Sequence, residues 1–446
     1  MLPAMSGCET ASWSHRRSRP RPNGSSLRRR AALTVVALLL TLAACEAGPG
    51  APEPSEPDAA DAAGREPARV TVGLLNPLTG PFAALGEDVN DGFALYLEEQ
   101  GGRLGGLEVE LLIEDEANDP AIAREHAERL VEQGEVDVVA GFVNSGVAYA
   151  AAPVFVEAGV PLIVTVAGAD DLTQRDAEDS VFRLSYTSSQ DAMPMGTYAC
   201  AELGYERAAV VALDYAFGWE AAGGFSLAFE DAGCDVVEEI YVPLDEQDWT
   251  PFVQQIDDDV DAVWAVVAGP DAIRFSQAYA DVGLQAPLIG LGTLTDEEVL
   301  AQQQSLADGI VTTLHYSRAL GSPENAAFVA AFEDAYGRTV SRYAEGGYAA
   351  AMVIDAALAA SDEPTRVALI DALGQVEVAA PRGPLHFDAF GQAVYQVYVR
   401  QVVETPDGWE NEVIEALEDV SQFWTYEPER FLAAPRFEER KGSWAR

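Results

Sequence analysis

The sequence almost lacks lysine, since Lys441 is the only one among 446 residues. With 27 basic and 73 acidic residues, the formal net charge at pH 7 is −46. A field of this sign repels nucleic acid and anionic lipid, so we expect neither as a partner. The acidic residues are spread along the chain, which indicates an acidic surface. Adaptation to high salt and simple solubility both account for such a surface.

Histidine is also scarce, and its placement argues against an enzyme or a metal site. None of the histidines stands in a metal-ligand spacing such as HExxH, and the chain has neither a G-x-S-x-G elbow nor a P-loop. The acidic run at 257–261 lacks the spacing and the glycine of a calcium loop. We therefore expect no enzymatic activity, no cofactor and no metal. The four histidines are His15, His126, His315 and His386.

The apolar run near the N-terminus is too short to span a bilayer, which takes roughly 20 residues. This run, 31–44 (AALTVVALLLTLAA), follows the basic block 28–30 and precedes Cys45. A basic block, a short apolar run and small residues predict a secretory signal over 1–44. The tetrad 42–45 (LAAC) resembles the bacterial lipobox, which predicts acylation of Cys45. The alternative is a retained membrane anchor with an incidental cysteine.

The segment 45–68 (CEAGPGAPEPSEPDAADAAGREPA) is rich in proline, alanine and acid. It cannot bury enough apolar surface to fold, which predicts a disordered tether. Two cysteines remain beyond it, Cys200 and Cys234, and each precedes a predicted strand of one parallel βαβ unit. Both strand starts lie at the same edge of the sheet, so we expect a disulfide in an oxidising compartment.

The folded part alternates short apolar strands with amphipathic helices. Its length of about 380 residues exceeds the ~250–300 residues of one core, which predicts two lobes. The alternation predicts an α/β fold with two doubly wound parallel sheets. Ligands on such sheets bind at the carboxyl ends of the strands, over helix N-termini. The predicted strands are 70–75, 107–114, 136–142, 161–166, 208–214, 236–241, 262–267 and 287–291, and the predicted helices are 83–100, 121–133, 148–158, 219–232, 250–256 and 272–282.

Several segments, in their order and spacing, resemble the type I periplasmic solute-binding proteins of the leucine/isoleucine/valine-binding group. The resemblance runs from about 70 to 425. Two further segments, LHYSRALGSPENAAF (314–328) and APRGPLHF (380–387), are closer to a subgroup for benzoate-like aromatic acids. The segments that carry the wider resemblance are GLLNPLTGPFAALGEDVNDGFALYLEEQGG (73–102), EDEANDPAIA (114–123), AGFVNSGVAYAAAPVFVEAGVPLI (140–163), LDYAFGWEAAGGF (213–225) and GYAAAMVIDAA (347–357).

The resemblance implies two lobes joined by a three-crossover hinge. Lobe one is 69–189 plus 317–390, lobe two is 190–316 plus 391–425, and 426–446 is a tail that packs on the surface. The implied function is that of a monomeric solute-binding lipoprotein of an ABC importer. Such a protein is located on the outer side of the cytoplasmic membrane or in the periplasm, and only its lipid anchor contacts the membrane. It delivers a small carboxylate to the permease subunits. The alternative is the ligand-sensing module of a receptor system.

In lobe one, the resemblance places the ligand at loops after three strands. Ser145 matches the family serine that binds the ligand carboxylate, and with Asn144 it also reads as a plain helix cap. The loop after the next strand holds the carboxylate through backbone groups, and the family often has a hydroxyl where Gly168 stands. The loop after the first strand commonly carries an aromatic residue that covers the ligand. The matching residues of the last two loops are Val166, Ala167, Gly168, Phe82 and Leu85.

In lobe two, Phe217 matches a family aromatic residue, and Thr293 and Leu294 follow the strand at 287–291. Leucine-type binders have a Glu near Thr293 that pairs with the ligand ammonium, which is missing here. Because a buried ammonium without a partner is costly, either another acid serves or the ligand has no ammonium. Asp170 and Glu345 are possible substitutes, although both read as exposed charges. A branched-chain amino acid and an aromatic acid remain open as ligands.

Overall fold

The computed structural model describes residues 69–244, 246–361, 365–406 and 408–445. The predicted signal sequence, Cys45 and the tether lie outside the described residues. In the part of the chain described, no helix is long and apolar enough to cross a membrane.

The first sheet has six strands in the order β2-β3-β1-β4-β5-β6. All its pairings are parallel except that of β2 with β3. The first strand lies between β3 and β4, so the strand order reverses there, and ligands bind such sheets at that point. The strands and the helices between them are β1 Arg69–Asn76, α1 Ala83–Glu99, β2 Arg103–Leu104, β3 Leu107–Asp115, α2 Pro120–Glu132, β4 Val138–Gly141, α3 Ser145–Glu157, β5 Leu162–Val164 and β6 Val181–Arg183.

The second sheet repeats this parallel arrangement in its first five strands, with β7 between β8 and β9. Its full order is β12-β13-β14-β11-β10-β9-β7-β8, and β15 pairs with β14. Its elements are α4 Ala192–Ala201, β7 Arg207–Leu213, α5 Ala216–Asp231, β8 Asp235–Val242, α6 Thr250–Val253, β9 Ala262–Val266, α7 Pro270–Val282, β10 Leu288–Leu291, α8 Glu297–Gln303, β11 Val311–Leu314, β12 Glu377–Ala380, β13 Gly383–Phe387, β14 Ala393–Thr405 and β15 Gly408–Val420.

Three helices between β11 and β12 belong with the first sheet. The long helix α10 packs against α1 so closely that a Cβ on Gly92 would lie 1.8 Å from the backbone oxygen of Ala344. A Cβ on Gly347 would lie 1.9 Å from that of Val89, so only glycine permits this approach. The helices are α9 Pro323–Tyr336, α10 Arg342–Ala360 and α11 Arg366–Leu373.

The hairpin β12–β13 differs from the predicted lobe boundaries, which assign 377–387 to lobe one. In the structure β13 pairs antiparallel with β14, His386 opposite Val394, so the hairpin extends the second sheet. Phe387 still packs against Phe182 of β6, with ring centroids 5.1 Å apart. The hairpin therefore belongs to one lobe by hydrogen bonding and contacts the other by packing.

The chain passes between the lobes three times, at 184–191, 315–322 and 388–392, as the resemblance implies. Buried Asp191 ends the first passage, and its carboxylate accepts from the His315 backbone N–H of the second at 2.9 Å and from the hydroxyl of Tyr395, in β14 just after the third, at 3.1 Å. Gln392 donates to the Ser185 carbonyl oxygen at 2.6 Å and to Gln190 Oε1 at 2.9 Å. These bonds hold the three segments side by side.

A disulfide joins Cys200, at the end of α4, to Cys234, just before β8, with their Cα atoms 6.0 Å apart. This separation is within the usual range for a bridge. Both cysteines lie in lobe two, so the link does not restrict movement between the lobes.

The C-terminal tail contacts both lobes and contains two short helices, α12 Pro428–Leu432 and α13 Phe437–Arg440. Its Arg436 pairs with Asp171 of lobe one at 3.0 Å. Lys441 pairs with Asp214 of lobe two, and the Trp444 backbone N–H donates to Glu239. The tail therefore packs on the surface, as expected, and extends across the junction of the lobes.

Candidate functional site

The loop between β4 and α3 carries the first pair of predicted ligand residues. Asn144 is the N-cap of α3, and its Oδ1 accepts from the Gly146 N–H at 2.8 Å. The helix therefore begins at Ser145, three residues before the predicted start. Ser145 Oγ accepts from the Ala169 N–H at 3.0 Å, which ties this loop to the one after β5. The Ser145 hydroxyl keeps its proton to donate, and it lies at the positive end of the helix dipole.

The loop after β5 is bonded to the first of the three segments that pass between the lobes. Two groups of Ser188, its N–H and its hydroxyl, donate to the Gly168 carbonyl oxygen, each at 2.7 Å. A Cβ on Gly168 would lie 3.0 Å from the Tyr186 ring and 3.1 Å from Ser188 Oγ. These neighbours explain the glycine, because Tyr186 and Ser188 fill the space where the family often has a hydroxyl. Ala167, which is buried, donates its N–H to the Phe142 carbonyl oxygen at 3.0 Å.

A small apolar cluster connects the loops of lobe one. Val89, Val166 and Tyr343 are buried together, and Leu85 and Val143 pack against them half-exposed. They come from α1, the loops after β4 and β5, and the start of α10. The cluster provides an apolar surface beside the polar end of α3. Phe82 is half-buried at the N-terminus of α1.

In lobe two the predicted residues divide between the cleft loops and the core. Thr293 Oγ1 donates to the Val267 carbonyl oxygen at 2.7 Å, which joins the loops after β10 and β9. Phe217, in the first turn of α5, is 7% exposed, and its ring centroid lies 5.8 Å from that of Tyr215. Phe217 therefore packs in a buried core cluster that also contains Phe225. Leu294 is completely buried in the core of lobe two with Val299. Its packing makes Leu294 a core residue rather than part of a ligand surface.

The structure brings an arginine to these loops that the sequence analysis missed. Arg342, the first residue of α10, donates from Nε to both oxygens of Asp296 at 3.1 and 3.0 Å. Its Nη2 donates to the Tyr343 hydroxyl at 2.7 Å, and its guanidinium lies 5.6 Å from the Tyr186 ring centroid. Asp296 follows β10, so this ion pair joins the two lobes. The side chains of Arg342 and Asp296 are only 5% and 2% exposed.

Only one local signal in the sequence pointed to Arg342. A cation at a helix N-terminus is disfavoured by the helix dipole, so an arginine at the first position of a helix is unusual. Burial favours the neutral guanidine, but the charge of Asp296 opposes this and the pKa of Arg342 lies well above its ordinary value. Arg342 is therefore charged.

The two acids suggested as partners of a ligand ammonium are both buried, contrary to the expectation of exposed charges. Glu345 forms an ion pair with Arg382 that is completely buried, and Arg382 Nε donates to its Oε1 at 2.9 Å. The Glu345 carboxylate is therefore already paired with an arginine of the protein rather than with a ligand ammonium. Asp170 is 3% exposed, and its Oδ1 accepts from the Ser189 N–H at 3.1 Å.

Asp170 also contacts lobe two through a second carboxylate. Glu220 of α5 accepts from the Asp170 N–H at 3.2 Å. Burial raises the pKa of Asp170 to about 6, and burial followed by the charge of Asp170 raises the pKa of Glu220 well above its ordinary value. A groove of about 240 Å³ lies over the two acids, and Tyr149, Trp219 and Arg436 contribute to its walls.

The described residues contain no group of three or more histidine, cysteine, aspartate or glutamate side chains placed to hold a metal ion. What the structure does assemble is a pair of doubly wound lobes, three crossovers and facing loops at strand carboxyl ends. This combination defines the type I periplasmic binding protein fold, as predicted.

The chain belongs to the periplasmic binding protein family, whose model matches residues 69–408. It is 33% identical over 349 residues to "Leu/Ile/Val-binding protein homolog 6" of Brucella melitensis, covering 76% of this chain and 89% of that protein. These relatives are binding proteins rather than enzymes.

Solved structures agree with this assignment. An ABC transporter substrate-binding protein from Sphaerobacter thermophilus shares 33% identity with a TM-score of 0.77, covering 79% of this chain and 99% of the other. A solute-binding protein of an ABC transporter from R. palustris, solved in complex with benzoate, shares 34% identity with a TM-score of 0.72, covering 80% and 99%.

Proposed function

We propose that this protein is an exported lipoprotein that captures a small carboxylate-bearing solute between its lobes and delivers it to the permease of an ABC importer. The similar proteins include a Leu/Ile/Val-binding homologue and a benzoate-bound solute-binding protein. A branched-chain amino acid and an aromatic acid share a carboxylate and an apolar body. The proposed ligand class is defined by these two features.

The observation that carries the proposal is the junction of α3 with the apolar cluster around Leu85, Val166 and Tyr343. The N-terminus of α3 offers the Ser145 hydroxyl and backbone N–H groups to an anion, aided by the helix dipole. The cluster offers a neighbouring surface to the apolar body of the ligand. A carboxylate with an apolar body fits both at once.

Titration calorimetry with benzoate and with leucine tests the proposal, using the wild type and Ser145→Ala. Loss of one hydrogen bond to a charged group should weaken binding by roughly 1.5–3 kcal/mol. Ser361→Ala is the matched control, because it removes a serine hydroxyl at the far end of α10, where it bonds to the Ala357 carbonyl oxygen. If Ser145→Ala and Ser361→Ala bind every accepted carboxylate as the wild type does, the anion site is wrong.

Capture should close the lobes, because each lobe supplies part of the site and the ligand stabilises the state in which both parts contact it. Small-angle scattering should show a smaller radius of gyration with a saturating ligand than without it. An unchanged radius at saturation contradicts closure by a hinge.

Lipidation is proposed at Cys45, on the LAAC tetrad alone. Metabolic labelling with a fatty acid should mark the wild type and leave Cys45→Ser unmarked. Cys8→Ser, which changes a cysteine within the predicted signal, should be labelled as the wild type is. Equal labelling of Cys45→Ser contradicts the assignment.

A further inference from the structure

The ion pair between Arg342 and Asp296 lies where the proposed ligand loops of the two lobes meet. Asp296 directly follows the loop of Thr293, and Arg342 directly precedes Tyr343 of the apolar cluster. The guanidinium also approaches Tyr186, whose ring packs on Gly168. The pair therefore borders the proposed site from both lobes.

The acceptors of Asp296 are already bonded within the protein. Its Oδ1 accepts from Arg342 Nε, and its Oδ2 accepts from both Arg342 Nε and the Tyr343 hydroxyl, the latter at 3.3 Å. A ligand ammonium that approached Asp296 would meet the guanidinium as a like charge in a site shielded from water. Such repulsion is much stronger there than in bulk water.

We propose that Arg342 is a specificity-determining residue that neutralises Asp296 and restricts the ligand to carboxylates without an ammonium group. This inference rests on the proposed function and narrows its ligand class to acids such as benzoate. The ligand carboxylate remains at Ser145 and the α3 N-terminus. The arginine acts through Asp296, because it removes both the attraction that Asp296 would exert on an ammonium and the repulsion that it would exert on a carboxylate.

Charge-changing variants separate this role from a structural one. Arg342→Met leaves Asp296 uncompensated, so benzoate affinity should fall and leucine affinity should rise, with the ratio changing roughly 10- to 100-fold. The double variant Arg342→Met/Asp296→Asn carries neither charge, so benzoate affinity should return toward the wild type without a gain for leucine. Arg342→Lys keeps the charge and should keep the preference for benzoate.

Arg338→Met is the matched control. It removes a partly exposed arginine that lies just before α10 and pairs with Asp88 and Asp91. Its ratio of benzoate to leucine affinity should equal that of the wild type. Calorimetry on the wild type and on every variant, each checked by thermal melting, gives the affinities.

The inference is overturned if Arg342→Met folds and its ratio of benzoate to leucine affinity equals that of the wild type. Where the methionine variant does not fold, it is overturned if Arg342→Lys and Arg342→Lys/Asp296→Asn have the same ratio. For the lysine variant, the supporting result is a retained preference that Arg342→Lys/Asp296→Asn changes. A wild type that binds leucine more tightly than benzoate also overturns it, while leaving the proposed function intact. A wild type that binds no small carboxylate overturns both.

Discussion

Two contacts between charged residues of opposite lobes, both in the part of the chain that the structure describes, have opposite character. At the first, Arg342 of lobe one and Asp296 of lobe two form a buried pair of opposite charges. At the second, Asp170 of lobe one and Glu220 of lobe two bring two acids together. The first contact therefore attracts the lobes to each other, whereas the effect of the second depends on the protonation of its two acids.

The residues around the second contact do not cancel the repulsion between the carboxylates of Asp170 and Glu220. Burial is the largest influence on both acids, and Asp170 Oδ2 has no partner among the described residues. Arg183 lowers both pKa values, whereas Asp171 raises that of Asp170, and Tyr149 also faces this group. Arg175 and Arg436 lie close by, but both are bonded to Asp171.

The largest expected effect comes from breaking the first contact. Asp296→Ala leaves the Arg342 charge buried without a partner, which should cost the closed arrangement about 3–5 kcal/mol. The lobes can separate and hydrate the guanidinium, so with a saturating ligand the variant should show a larger radius of gyration in small-angle scattering than the wild type does. Arg342→Met/Asp296→Leu replaces the pair by apolar groups and should recover the compact form. Identical scattering from Asp296→Ala and the wild type contradicts the prediction.

A change confined to lobe two should lower stability without affecting either contact. Removing the disulfide by Cys200→Ser/Cys234→Ser should cost about 2–4 kcal/mol of unfolding free energy, because the unfolded chain regains freedom. Denaturant unfolding measures this loss, and the reduced wild type is the control. The radius of gyration should not change. A larger radius in the variant shows that the bridge does influence the hinge.

The pH dependence of closure should follow from the second contact. Both acids have raised pKa values when the lobes meet, so protons favour the closed form, and closure weakens as the pH rises from about 4 through about 6. The radius of gyration of the ligand-free protein should be smaller at pH 4.5 than at pH 7.5. Glu220→Gln should reduce this difference, whereas Glu87→Gln, on the exposed side of α1, should keep it. If the radius of gyration of the wild type does not change with pH, protonation of Asp170 and Glu220 has no effect on closure, and the prediction is wrong.

The smallest effect is expected from the tail that lies over the second contact. Arg436 is 44% exposed, and an exposed pair such as Arg436–Asp171 contributes about 0.2–1 kcal/mol. Arg436→Gln should speed hydrogen exchange in 428–445 slightly, and salt should reduce the difference from the wild type. Arg430→Gln, at an exposed position of the same tail, is the control. Equal exchange in both variants shows that Arg436 does not hold the tail.

Much of the architecture follows from local patterns. The eight predicted strands and the six predicted helices all overlap elements of the structure, with boundaries shifted by up to three residues. The shifts have local causes, as at α3, where the Asn144 side chain caps the helix at Ser145. The strands β2 and β6 were not predicted, because two or three residues are too few to show an alternating pattern. Helix α4 and every element beyond 291, including the long strands β14 and β15, were not predicted either.

The candidate site was predictable only in part. Ser145 and the loop of Gly168 could be matched because each follows a strand in a recognisable segment. Leu294 was assigned to the ligand on position alone, and the structure buries it in the core of lobe two. Arg342 was missed because its partner is 46 residues away in the sequence and lies in the other lobe.

The sequence by itself determined the α/β class, the two lobes, the parallel order of strands and the proximity of Cys200 to Cys234, because these follow from periodicity and from the handedness of βαβ units. The tertiary structure decided which charges are paired and which are buried together. Arg342 reaches Asp296 and Asp170 reaches Glu220 across the two lobes, and Arg382 reaches Glu345 from the turn of the hairpin β12–β13. Contacts of this kind depend on how distant segments are brought together, and no local pattern records that.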